Sequence, residues 1–117
     1  MSVTIDLTQN MVALQKANRT RHEMVELRQS IRDAQHPKDL VAFILDSPLS
    51  DAAGALPIRR LLLAIPRFGE ARLTDCLSRA CISTGDRKVR DISQRQRHLI
   101  ARMLRGEEVE APIYWQV

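Results

Sequence analysis

The chain has little of what a β-sheet protein needs. Its 117 residues include four glycines and only 3% aromatic residues, whereas 44% are hydrophobic. Strands favour aromatic and β-branched residues, and the leucine and alanine that dominate here are good helix formers. The composition therefore predicts one all-α domain with a modest core.

Long apolar runs are also lacking. No run approaches the roughly 18 consecutive apolar residues that a membrane-spanning helix needs. The opening residues lack the charged and apolar regions of a secretion signal, so we expect a cytoplasmic protein. The two cysteines, Cys76 and Cys81, are five positions apart in a predicted helix, and their side chains diverge. We expect buried or half-buried thiols here and no metal site.

No group of residues has the pattern of a catalytic site. His98 is the only histidine in the second half, and no carboxylate or thiol is spaced to make it a base. The serines have no accompanying base to activate them. We therefore expect a protein that is not an enzyme and that holds no cofactor.

The charge balance favours an anionic partner. Eighteen lysines and arginines face fourteen acids, which gives a formal net charge of +4. Arginine dominates the basic set, and its planar guanidinium suits phosphate. A charge of this size indicates moderate attraction to polyanions without identifying one.

The chain divides into three regions. Residues 1–35 are predicted to be a loose arm over residues 1–6 and a long polar helix from near Thr8, whose first half projects beyond the core. Its cations lie either along a phosphate backbone or on an ordinary solvated face, and they are Lys16, Arg19, Arg21, Arg28 and Arg32. The expected contacts are the first three. Residues 36–105 form the compact domain, and residues 106–117 an acidic and aromatic tail.

Within the compact domain, short-range signals predict the helix ends. Pro37 suits the first turn of a helix that carries Phe43 and its apolar neighbours into the core. Ser50 is predicted to cap a short turn, and Ser93 with Gln96 fits a capping box. The helix that Ser93 opens carries a cationic row, Arg95, His98, Arg102 and Arg105, whose mutual repulsion an anion would relieve.

The predicted turn at residues 65–72 lies between two apolar-periodic segments. Pro66 stops one helix, and Gly69 is predicted to take a positive φ or to allow a close backbone approach. A helix starting near Glu70 leaves its first N–H groups unpaired, and these form an anion site flanked by Arg67 and Arg72. The alternative is an ordinary connection between antiparallel helices. A polar loop follows at residues 82–90, and its cations predict a contact loop.

These residues carry a resemblance. Residues 61–72 (LLLAIPRFGEAR) and 87–97 (RKVRDISQRQR) resemble the actinobacterial (mycobacterial-type) integration host factor. Members of that family are similar to the helix-two-turn-helix part of ribosomal protein S13, with a long basic N-terminal helix. They bind duplex DNA with little sequence preference, bend it and compact the nucleoid. The resemblance is strongest over about fifty residues.

The resemblance implies a set of contact residues. Its hairpin, with backbone amides facing phosphate and a basic residue after it, corresponds to Pro66, Arg67, Phe68, Gly69 and Arg72. Its basic loop, which enters or borders a DNA groove, corresponds to Arg87, Lys88 and Arg90, and the opening of its last helix to Arg95 and Arg97. The chain departs from the family in having Glu70 where a lysine is usual, a loop one residue longer, and the aromatic tail.

The resulting hypothesis is a monomeric, non-enzymatic, architectural DNA-binding protein of the cytoplasm and nucleoid. A site-specific recombinase is a candidate partner. One alternative is a binder of structured RNA that uses the same hairpin. Another is an adaptor whose Tyr114 and Trp115 dock a protein partner while the cations keep it soluble; docking on the domain itself is a further possible fate of these aromatics.

Overall fold

The computed structural model describes the backbone of residues 2–107 and the side chains of residues 9–107. This part of the chain is mostly helical and contains no β-strand, which confirms the all-α prediction. The helices are α1 (Ser2–Asp33), α2 (Pro37–Asp46), α3 (Asp51–Ala55), α4 (Ile58–Leu63), α5 (Glu70–Arg79) and α6 (Gln94–Leu104), with a one-turn 3-10 helix at Val89–Asp91 before α6.

Helix α1 is longer than predicted and only its second half reaches the core. It begins at Ser2 rather than near Thr8, because the sequence has no proline or glycine before Pro37 to interrupt it. Met11 is 61% exposed, whereas Ile31 is fully buried. The first half therefore projects beyond the domain, as predicted.

The core is formed where α2 packs on α6 and where the α4–α5 hairpin packs against them. Leu61 and Leu62 of α4 and Ile100 of α6 are fully buried. Phe43 was predicted to join this core, but it is 65% exposed. It lies about 200° around α2 from Leu45, which faces α6, so the two side chains point in nearly opposite directions.

The predicted helix caps are present, whereas two helices end before their predicted positions. Ser50 accepts a hydrogen bond from the Ala53 N–H (3.1 Å), and Ser93 and Gln96 form the reciprocal capping box. Helix α4 ends at Leu63 rather than Ile65, and α5 at Arg79 rather than Cys81. Of the helices in residues 2–107, none is both long and apolar enough to cross a membrane.

The two cysteines differ in environment. Cys76 is buried in α5, and burial raises the pKa of its thiol. Cys81 follows the helix with a φ of 60° and is exposed, so the expectation of a buried or half-buried thiol is wrong there. Among the side chains of residues 9–107, no group of histidine, cysteine and acidic residues is arranged to hold a metal ion.

Candidate nucleic-acid interface

The hairpin turn between α4 and α5 is anchored by two buried side chains. Ile65 and Phe68 are 2% and 7% exposed, and the Phe68 N–H donates to the Ile65 carbonyl (3.1 Å). Pro66 and Arg67, between them, are exposed. The turn therefore presents Arg67 at its tip, while Phe68, predicted as a contact residue, anchors that tip from below.

The left-handed residue of this turn is Arg67 and not Gly69. Arg67 has a φ of 66°, whereas Gly69 is extended with a φ of −87° and a ψ of 173°. A Cβ at Gly69 would meet no atom within 4 Å in the described structure. The predicted need for glycine there is wrong, because Gly69 serves as the N-cap of α5.

The N-terminus of α5 faces outward without a side-chain cap. No described side chain accepts a hydrogen bond from its first turn at the N-cap. Glu70 and Arg72 are both exposed in that turn. The first turn of α5 therefore has unpaired backbone N–H groups, one cation and one carboxylate. That carboxylate interacts favourably with the positive end of the helix dipole.

A shallow depression of about 470 Å³ lies beside the turn. Residues 63–69 form most of its lining, and Arg32 from the last turn of α1 completes it. Arg32 was predicted only as one of the α1 cations, and not as a neighbour of the hairpin turn. Its place depends on how the end of α1 packs beside the hairpin, which no local sequence signal reports.

The basic loop is fixed to the start of α4 by backbone hydrogen bonds. The Ile58 N–H donates to the Arg87 carbonyl, and the Val89 N–H donates to the Leu56 carbonyl, each at 2.9 Å. Val89 is fully buried, whereas Arg87 and Lys88 are exposed. The predicted contact loop is therefore held rigidly, with its cations outward around a buried valine.

A further cation joins the loop from α4. The Arg59 N–H donates to the Gly85 carbonyl (2.9 Å), and a Cβ on Gly85 would lie 2.9 Å from the Cβ of Arg59. Gly85 therefore permits the Arg59 side chain to lie across the loop. Sequence reasoning missed Arg59, because this contact joins segments 26 positions apart.

Helix α4 connects the two cationic segments. The loop meets its first residue and the hairpin turn follows its last, and six residues of helix rise about 9 Å. We call the cations gathered at its two ends the hairpin–loop cations. They are Arg32, Arg59, Arg67, Arg87, Lys88 and Arg90, and all six are exposed.

The hairpin–loop cations are not neutralised within the protein. Across the side chains of residues 9–107, no carboxylate lies within 4.0 Å of any of them. The predicted cationic row of α6 is different. Asp46 contacts both His98 (3.1 Å) and Arg105, and Glu107 contacts Arg102 (3.0 Å). Internal acids therefore do what the expected anion was to do for His98, Arg102 and Arg105, whereas Arg95 has no acidic partner among the described side chains.

These contacts favour the ionised form of the Asp46 carboxyl group. Burial alone raises its pKa, but the hydrogen bonds from Arg105 and His98 outweigh that effect and hold the pKa below its usual value. The carboxylate thus remains charged and neutralises Arg105 at the C-terminal end of α6.

The two arginines that open α6 point differently. Arg95 is exposed, as a contact residue must be. Arg97 is half-buried and donates from Nη1 to the Leu45 carbonyl (3.4 Å). Arg97 therefore links α6 to the end of α2, so a large part of its side chain faces the fold.

The cations of α1 do not share one face. Lys16, Arg19 and Arg21 are all exposed. In a continuous helix, Arg19 and Arg21 point about 160° apart. Arg21 instead shares its face with Arg32, which lies eleven residues on and lines the hairpin depression. Of the three predicted α1 contacts, Arg21 is the one aligned with the hairpin.

Comparison with known proteins adds no relative to this picture. No protein-family model, curated protein or solved structure matches the chain. The similarity to the integration host factor of actinobacteria therefore stays a prediction.

Proposed function

We propose that this chain is an architectural protein that binds duplex DNA through its phosphates, with little sequence preference, and bends or compacts it. The observation that carries the proposal is the set of hairpin–loop cations, which are exposed, rigidly held and unpaired within the described structure. Unpaired, exposed cations on fixed backbone bind phosphates without first breaking internal ion pairs.

The arrangement favours backbone contacts over base reading. The cations lie on a tight turn, a pinned loop and the short helix α4, whose residues Leu61 and Leu62 are committed to the core. In the described part of the chain, these three segments present no long exposed helix face that could lie in the major groove, which is roughly 12 Å wide. Sequence preference then comes from the cost of deforming the DNA.

A second contact surface on α1 explains a bend. Lys16 lies on the half of α1 that projects beyond the core, and Arg19 and Arg21 follow it before Met24, the first α1 side chain that packs against the core. A duplex held at the hairpin and the loop would bend to meet this segment as well, or a second duplex would bind there. Bending and bridging are both architectural activities. Bent DNA would bring separated sites together, which makes a site-specific recombinase a candidate partner in the nucleoid.

The salt dependence of duplex binding tests the proposal. If about four to six phosphates are neutralised, log affinity should fall with log salt at a slope of roughly −4 to −5. A slope near zero would contradict phosphate binding. If structured RNA competed much more strongly than the duplex itself, the ligand of this hairpin would be RNA and not DNA.

A bending measurement tests the architectural part. Fluorophores at the two ends of a short duplex should approach each other when the protein binds, and energy transfer should rise. Unchanged transfer at saturating protein, with binding confirmed by anisotropy, would leave a DNA binder without the bend. A complex of the protein with two duplexes in the same sample would indicate bridging.

A further inference from the structure

A second depression, of about 290 Å³, borders the hairpin turn at Ile65 and Pro66. Ile65 and Leu104 contribute buried apolar side chains to its lining, and Pro37 and Pro66 contribute apolar rings. Lys38 stands on its rim. The depression therefore has an apolar floor beside a cation, which suits an aromatic ring next to an acidic group.

The end of α6 delivers the chain to this depression. Gly106 has a φ of 87°, and the Glu107 N–H donates to the Arg102 carbonyl (3.0 Å), as in a Schellman motif. Leu104, three residues before Glu107, lines the depression. The described chain therefore ends three residues beyond a residue that lines the depression.

The segment that follows has the complementary composition. Residues 108–117 read EVEAPIYWQV, with two glutamates ahead of adjacent aromatics. Trp115 lies eight residues beyond Glu107, and a chain of that length reaches up to about 27 Å. The segment is long enough to return to the depression, and its acids match Lys38 there and Arg32 and Arg67 around the turn.

We propose that residues 108–117 dock on their own domain, with Trp115 in the depression between the first turn of α2 and the hairpin turn. The indole would bury its rings against Ile65, Leu104 and the two prolines. Its N–H needs an acceptor, and the rim supplies His36 and the Asp39 carboxylate. Asp39 is also the rim group that opposes the acids of the tail, so Lys38 is the charge on which docking depends.

Docking on this side has a consequence for the hairpin. The two depressions share Ile65 and Pro66, so the docked segment covers one flank of the turn that carries Arg67. Acidic residues held there would compete with phosphate. This consequence rests on the proposed function, whereas docking itself does not.

Fluorescence of the intact chain tests docking directly, because Trp115 is its only tryptophan. The emission maximum should lie at a shorter wavelength, and acrylamide should quench it less, than in a synthetic peptide of residues 106–117. Equal values for chain and peptide would overturn the proposal. Values that change with protein concentration would also overturn it, since the tail would then occupy a second copy.

A pair of matched variants locates the docking site. Lys38→Glu reverses the charge on the rim, and it should shift emission and quenching towards the peptide values. Lys88→Glu makes the same change in the basic loop and should leave both unchanged. Normal fluorescence in Lys38→Glu, or the same loss in both variants, would place Trp115 elsewhere and overturn the site.

Adding duplex DNA then separates docking from the proposed function. A shift of Trp115 emission to longer wavelength, in step with binding, supports competition at the turn. Binding without any shift contradicts competition. If no duplex binds while the DNA-free chain still protects Trp115, the proposed function fails and the docking site stands.

Discussion

Two arginine-rich surfaces of this protein look alike in sequence and differ in structure. The row on α6 contains three arginines and a histidine, and the hairpin–loop cations contain five arginines and a lysine. Acids from elsewhere reach the first surface, since Asp46 at the end of α2 meets His98 and Arg105. Among the described side chains none reaches the second. The difference shows that the placement of distant acids, rather than the number of cations, decides which surface keeps unpaired cations.

The backbones of the two surfaces differ as well. The α6 cations stand on a regular helix, whereas the loop is fixed to α4 by hydrogen bonds at Ile58, Arg59 and Val89. An irregular segment held in this way has already lost its conformational entropy on folding. Binding therefore costs less conformational entropy at this loop than it would at a free polar segment.

The largest expected effect comes from removing the loop cations. Replacing Arg87, Lys88 and Arg90 together by alanine should weaken duplex binding about 500-fold at 0.1 M salt, because each released counterion contributes nearly a factor of ten there. The loss should be similar for all sequences, and the salt slope should become shallower by about 3. Fluorescence anisotropy over a salt series measures both.

A double variant of the neutralised row is the matched control. Arg102→Ala with Arg105→Ala removes one half-buried and one exposed cation that already have acidic partners. We expect little change in affinity or slope, with circular dichroism confirming that both variants fold. An equal loss in the control would mean that general charge, and not the pairing of each cation, governs binding.

The local signals in the sequence predicted much of this fold. The caps at Ser50 and Ser93 and the stop at Pro66 act within a few residues, so the helix ends of the compact domain were placed within about two residues. The exposed cations Arg67, Arg87 and Lys88 were predicted for the same reason, because turns and short polar loops lie at the surface.

What sequence reasoning missed depends on contacts between distant segments. Arg59 and Arg32 join the candidate site only because α4 binds the loop and α1 ends beside the hairpin. The neutralisation of α6 depends on Asp46, more than fifty positions away from its partners. The positive φ of Arg67 depends on the two buried anchors around it. The predicted contacts of residues 108–117 lie outside the described residues.

A smaller effect should follow from unmasking the α6 row. Asp46→Asn removes the carboxylate that neutralises His98 and Arg105. Duplex affinity should rise by up to about tenfold at 0.1 M salt, and the slope should steepen by about 1, if Arg105 then meets a phosphate. Asp51→Asn, which removes an exposed acid from α3, is the control with the same change in net charge. Equal gains in both variants would contradict specific masking.

The same aspartate gives a pH dependence with a fixed sign. Since the folded-state pKa of Asp46 lies below its unfolded value of about 3.9, its contribution to stability is complete above that value. It is lost as the pH falls through the folded pKa. Thermal unfolding between neutral and acidic pH should therefore show a smaller decline in Tm for Asp46→Asn than for the unchanged protein.

The smallest expected effect concerns the acid within the hairpin. Glu70 begins α5, and no described cation lies within ion-pair distance of it. Its carboxylate favours the N-terminus of α5 and competes with phosphate for the same dipole and N–H groups. Glu70→Gln should therefore raise duplex affinity by about two- to five-fold, which corresponds to 0.3–1 kcal/mol, and lower the free energy of unfolding by a similar amount. Opposite signs for binding and stability in one variant would identify the α5 N-terminus as a phosphate contact. A fall in stability with unchanged affinity would instead leave the loop as the dominant contact and the hairpin as its support.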